Sequence, residues 1–184
     1  MFKSILSFGK RPNQPVVDAL YEAIVASARQ PRFYSDWGVP DTPLGRFEML
    51  SLHMFLFLER ARASGPALAA LAQEVTDEFF KDIDHSLREL GINDVSMPKR
   101  MKKLARMFYG RAEAYRAALV AGDGAALAAA LARNVRPDDA GWTGAPMLAA
   151  YVERASHALA AGDDAALLAG RIAFPAADEA EAQP

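Results

Sequence analysis

Apolar residues recur every three to four positions along most of this chain, and no stretch alternates in the two-residue rhythm of a half-buried strand. Val17, Leu20, Tyr21, Ile24 and Ala28 mark a first helix over about residues 15–29, closed by Pro31. Thr42 and Pro43 supply an N-cap and a proline suited to the first helical position, so a second helix runs from there to about residue 63. Its middle, residues 47–58, is apolar on almost every side. A helix apolar all round has to be covered all round, which makes this one the centre of a bundle or the floor of a groove.

Gly65-Pro66 opens a third helix with a stripe of Leu68, Leu71, Val75, Phe79, Ile83, Leu87 and Leu90, stopped by Gly91. Its other face carries Glu74, Asp77, Glu78, Asp82 and Asp84. Ser96 caps a fourth helix to about residue 120, with Met101, Leu104, Phe108, Ala112, Tyr115 and Leu119 along one side and cations around the rest. Beyond Gly122 the pattern predicts alanine-rich helices near residues 124–133, 146–161 and 163–172. Gly122-Asp123 and Gly162-Asp163 repeat one punctuation, a glycine stop followed by an aspartate cap. Residues 32–40 read as a loop with a heavy aromatic load, Phe33, Tyr34 and Trp37. The expectation is an all-α, single-domain, irregular bundle of about seven helices. It has a flexible basic leader over 1–14, a helical domain over 15–174 and a flexible acidic tail over 175–184.

Composition adds limits to this picture. With 52% hydrophobic residues, the chain buries enough apolar surface to offset its ordering entropy. It has no cysteine, which excludes a disulfide framework, a thiolate metal ligand and a cysteine nucleophile, and is compatible with a reducing compartment. A net charge of -2 argues against a generic polyanion binder, so no DNA partner is expected. Phe2, Ile5, Leu6 and Phe8 are interrupted by polar residues and followed by Gly9-Lys10-Arg11-Pro12, unlike a secretory signal. The apolar run over 49–58 is far short of the ~20 residues needed to span a bilayer. The expected location is the cytoplasm, or peripherally the cytoplasmic face of the inner membrane.

Catalytic signatures are missing. His53, His85 and His157 fall on three different helices with no metal-ligand spacing, and neither a phosphate-cradling glycine loop nor a nucleophile elbow occurs. Neither an enzyme nor a cofactor is expected. What needs an explanation is the basic helix. Lys99, Arg100, Lys102 and Lys103 crowd its first two turns, where the helix macrodipole favours anions, and Arg106 and Arg111 follow. The acidic face of the preceding helix, anionic lipid, ribosomal RNA or an acidic protein would each relieve that charge. Phe33, Tyr34 and Trp37 either plug the end of the bundle or line a groove for an apolar peptide.

Several blocks together resemble one family. They are Phe33-Tyr34, Gly38-Val39-Pro40-Asp41-Thr42, Gly45-Arg46-Phe47-Glu48, Phe80-Lys81-Asp82-Ile83-Asp84, Leu87-Arg88-Glu89-Leu90-Gly91, Pro98-Lys99-Arg100-Met101-Lys102, Phe108-Tyr109-Gly110-Arg111 and Arg133-Asn134-Val135. The chain resembles the ubiquinol-cytochrome c chaperones, densely over 33–115 and more loosely to about residue 174. Ile83 and Asn93 depart from the family's usual methionine and glycine. The resemblance implies a helical, non-enzymatic protein that holds newly made cytochrome b before it joins the cytochrome bc1 complex. Mitochondrial members work with a small partner subunit near the ribosome exit. The absence of a long leading extension gives this chain the look of a short bacterial version. Client contact is expected at Phe33, Tyr34, Trp37, Phe80 and Asp84, and at Arg88, Met101, Phe108, Tyr109 and Tyr115. The rival reading is a helical ligand-sensing or regulatory domain that binds a small apolar molecule.

Overall fold

In a computed structural model the described residues are 13–89, 91 and 96–178. Among them the chain forms eight helices and no strand: α1 Gln14–Ala28, α2 Pro31–Ser35, α3 Pro43–Arg62, α4 Pro66–Glu89, α5 Met97–Ala121, α6 Gly124–Val135, α7 Gly144–Ala160 and α8 Asp164–Leu168. The all-α bundle expected from periodicity is therefore present.

Helix α3 is its axis. Every side chain over residues 51–57 is buried, and the helix feeds two apolar clusters at once. Met49, Leu52, Phe55 and Leu56 join α5, α6 and α7 in one cluster, around Leu131, Leu148 and Tyr151. Met54, Phe57 and Ala61 join α1 and α4 in the other, around Leu20, Ile24, Val75 and Phe79. The Phe79 and Phe108 rings lie 5.3 Å apart, so α5 folds back along α4.

The ends follow local chemistry. Thr42 accepts a hydrogen bond from the Gly45 amide at 3.2 Å, and Asp123 and Asp163 accept from the Ala126 and Ala165 amides at 2.8 and 3.0 Å. The two glycine-aspartate junctions differ, because Gly122 takes the left-handed conformation (φ 64°) whereas Gly162 does not. Residues 32–40 are not wholly loop as expected: Pro31 starts the short α2, and only from Asp36 does the chain run irregularly into α3. The last helix stops at Leu168 rather than near residue 172, because Gly170 turns the chain at φ 77°.

The expected leader and tail lie mostly outside the described residues. Where they lie within, Gln14 already belongs to α1, and Ala177 is buried with its amide bonded to Gln30. Packing thus reaches past the expected boundary at residue 175.

Candidate functional site: an apolar groove and a basic helix

The C-terminal ends of α1 and α4 meet the first turns of α3 around a groove of about 590 Å³. Val25 and Ala28 of α1, Leu44, Phe47 and Leu50 of α3, Ile83 and Leu87 of α4 and Leu104 of α5 line it. Leu44 is 57% exposed at its mouth. The turn into α3 fits because residue 45 is glycine; a Cβ there would stand 1.9 Å from the Pro40 carbonyl oxygen.

The rim is charged, and most of its charges are paired. Arg46 donates to Asp41 at 2.6 Å and holds that carboxyl below its usual range. The Tyr21 hydroxyl donates to Asp82 at 2.8 Å, and burial together with that carboxylate pushes the phenol up. Arg29, Asp41 and Arg46 also border a neighbouring dish of about 450 Å³ with Tyr34, so the groove continues into a polar shelf.

The basic helix meets the groove at Leu104. Arg100 lies one turn before Leu104 on the same side of α5. Lys99, Arg100, Lys102, Lys103 and Arg106 are exposed, and among the described residues none has a carboxylate at ion-pair distance. The acids of α4 are engaged elsewhere: Glu74 with Asn13, Asp77 with Gln73, Glu78 with Lys81, Asp82 with Tyr21 and Asp84 with Arg88. Among the described residues, the acids of α4 therefore form no direct ion pair with the basic helix. Arg111 differs from the other five, since its Nη2 donates to the buried carboxylate of Glu48 at 2.6 Å.

The ten residues expected to contact a client do not form one site. Phe33 and Trp37, 0% and 6% exposed, are core residues packed edge-on against Tyr151. The Trp142 indole donates to the Trp37 carbonyl at 2.7 Å and closes that end of the bundle. Tyr115 is buried against Phe55, and Phe108 is buried between Phe79 and Phe80. Tyr34 is half-buried with its hydroxyl on the Ala28 carbonyl, and Asp84 pairs with Arg88 along α4 at 2.7 Å. Phe80 and Met101 are half-buried against the second cluster, and Tyr109 is 54% exposed with its ring 5.2 Å from that of Phe108. The residues expected to contact a client did not include the groove residues Leu44, Phe47, Leu87 and Leu104, although the helix beginning its apolar stretch at Phe47 was read as a bundle centre or a groove floor. The available signal was Leu44, an apolar side chain in the solvent-facing first turn of a capped helix.

No helix among the described residues is long and apolar enough to cross a membrane. Comparison with known proteins adds the lineage. The chain is 25% identical over 116 residues to ubiquinol-cytochrome-c reductase complex assembly factor 1 of Xenopus laevis, which covers 63% of this chain and 58% of that relative's length. The crystal structure of the Cbp3 homolog from Brucella abortus superposes with a TM-score of 0.86 at 60% identity, covering 91% of this chain and 92% of that one. Residues 35–174, which hold α3 to α8 with the groove's α3, α4 and α5 walls, match the family model described as ubiquinol-cytochrome C chaperone, and the chain belongs to that family.

Proposed function

We infer that this protein is a non-enzymatic assembly chaperone for the ubiquinol-cytochrome c reductase complex, and that its client is newly made cytochrome b. The supporting observation is the open apolar groove beside the exposed cations in the first turns of α5, which among the described residues have no carboxylate at ion-pair distance. A transmembrane segment awaiting partners has apolar surface to hide, and each Å² it buries against Leu44, Phe47, Leu87 and Leu104 is worth about 25 cal/mol. Lys99, Arg100, Lys102 and Lys103 then face the phosphates of the inner membrane's cytoplasmic leaflet, each worth about 1 kcal/mol near an anionic surface. The groove holds the client while the cations keep it beside the bilayer it must enter.

A second reading has one observation in its favour. The groove's volume falls within the ~300–1,000 Å³ typical of small-molecule sites, which suits a regulatory domain sensing an apolar ligand. Leu44→Asp tests the first reading. Leu44 is largely exposed, so stability should change by no more than about 0.5 kcal/mol. Crosslinking to cytochrome b in cells should fall at least tenfold; undiminished crosslinking by the folded variant would remove the client from this groove.

A further inference from the structure

After α8 the chain leaves helical structure at Gly170, whose φ of 77° and close approach to Ala19 suit glycine alone; a Cβ would come 3.2 Å from the Ala19 Cβ. Residues 171–176 then cross the molecule without helix or strand. Ile172 and Phe174 pack against both apolar clusters, and the Phe174 ring lies 5.1 Å from the ring of His53. Beneath it, the His53 ring lies tilted against its neighbours, 5.7 Å from Phe33 and 5.6 Å from Tyr151. The segment covers the aromatic centre of the bundle.

Its attachment is slight for that position. Among the described residues, 172–178 make no main-chain to main-chain hydrogen bond. One side chain of the α1–α2 turn clasps the backbone: Gln30 Nε2 donates to the Pro175 carbonyl at 3.2 Å, and Gln30 Oε1 accepts from the Ala177 amide at 2.6 Å. Ala177 is buried, while Ile172, Phe174, Pro175 and Ala176 are only partly covered. Few backbone bonds and partial burial are the marks of a segment that opens without global unfolding.

We propose that residues 171–178 are a displaceable strap, occupying in cis a seat that takes an extended apolar segment of the client. Any extended chain offers Gln30 the same carbonyl and amide that Pro175 and Ala177 offer. Any large apolar side chain can take the place of Phe174 over His53. The strap keeps this surface covered until a client segment of matching chemistry arrives. The inference rests on the client-holding role, but it concerns a seat separate from the groove lined by Leu44.

The chain has no cysteine, so Ala177→Cys introduces a single thiol whose labelling rate by a maleimide reports strap opening. The probe is a synthetic peptide with the sequence of residues 170–178, in millimolar excess because it competes with a tethered copy. It should speed labelling of the full-length protein at least threefold, and the same peptide carrying Phe174→Asp should not. Gln30→Ala should speed labelling at least tenfold without peptide; Gln30→Glu, which keeps the acceptor for Ala177, should fall between. An unchanged rate with the apolar peptide in excess overturns the strap, even if Gln30→Ala does not fold. These rates do not depend on cytochrome b. If Leu44→Asp abolishes client capture while the peptide leaves labelling unchanged, the strap alone fails; if the peptide opens it while Leu44→Asp captures normally, the groove alone fails.

Discussion

Glu48 and His53 are the ionisable side chains that α3 buries, and they respond to pH in opposite directions. Burial pushes the Glu48 carboxyl above its usual range despite the Arg111 guanidinium beside it. The pair is only half satisfied, since Glu48 Oε2 and Arg111 Nε and Nη1 have no hydrogen-bond partner. The stability Glu48 contributes is present at acid pH and is lost as pH rises through its elevated range. His53 is fully satisfied as a neutral ring. Nδ1 faces the Met49 carbonyl at 2.8 Å and so carries the proton, while Nε2 accepts from the Tyr151 hydroxyl at 2.8 Å. Burial holds this imidazole down at about 4, against an ordinary value of 6.5. Between those pH values the unfolded chain binds the extra proton, so the contribution of His53 is whole above 6.5 and lost as pH falls through 4, on the order of 3 kcal/mol in all. His53→Gln should remove about 1.4 kcal/mol per pH unit from the acid-side slope of unfolding free energy. Urea titrations from pH 4 to 7 measure it, and a slope equal to the parent's would mean the ring is not held neutral. Periodicity put His53 on an apolar helix, but Tyr151, 98 residues away, lies beyond what local pattern carries.

Among the elements, the caps have separable energies. Asp123→Ala removes the acceptor for the Ala126 amide at the start of α6, which packs on α5 and α7, and should cost about 1 kcal/mol, or a Tm lower by roughly 2–4 °C. Asp163→Ala uncaps the five-residue α8 and should raise amide exchange there while leaving the Tm near that of the parent. Equal Tm losses would mean that α8 belongs to the cooperative core. Helices α1, α3, α4 and α5 were legible because each is long enough to display a face and is bounded by a cap, a proline or a glycine. Helix α2 was not, because five residues do not complete a periodic pattern. For Phe33 and Trp37 the plug of the bundle end was one of two readings, and the choice between them was hidden. Their burial depends on Trp142 and on Gly144, where a Cβ would stand 1.9 Å from the Trp37 carbonyl oxygen, both more than 100 residues along the chain.

For the whole molecule, the cations in the first turns of α5 oppose its stability, because positive charge sits at the positive end of the helix dipole. Replacing Lys99, Arg100, Lys102 and Lys103 by glutamate should therefore leave the Tm unchanged or slightly raised while recovery on vesicles containing anionic lipid is lost. Recovery of the parent protein should fall as salt shortens the reach of these charges, and vesicles of neutral lipid should recover neither. Salt-independent recovery would point to apolar insertion instead. The basic helix could be read from the sequence as locally strained, but the groove beside it could not. Its lining residues come from four helices, and apart from the exposed Leu44 none of them is unusual for its own helix.

The double membership of α3 carries one further consequence. A spine shared by two clusters leaves neither half able to loosen on its own: whatever melts the seat of Leu20 also withdraws support from Leu131. Independent movement is thereby confined to the periphery, to the lip at Leu44, the outer turns of α5 and the irregular crossing held by Gln30.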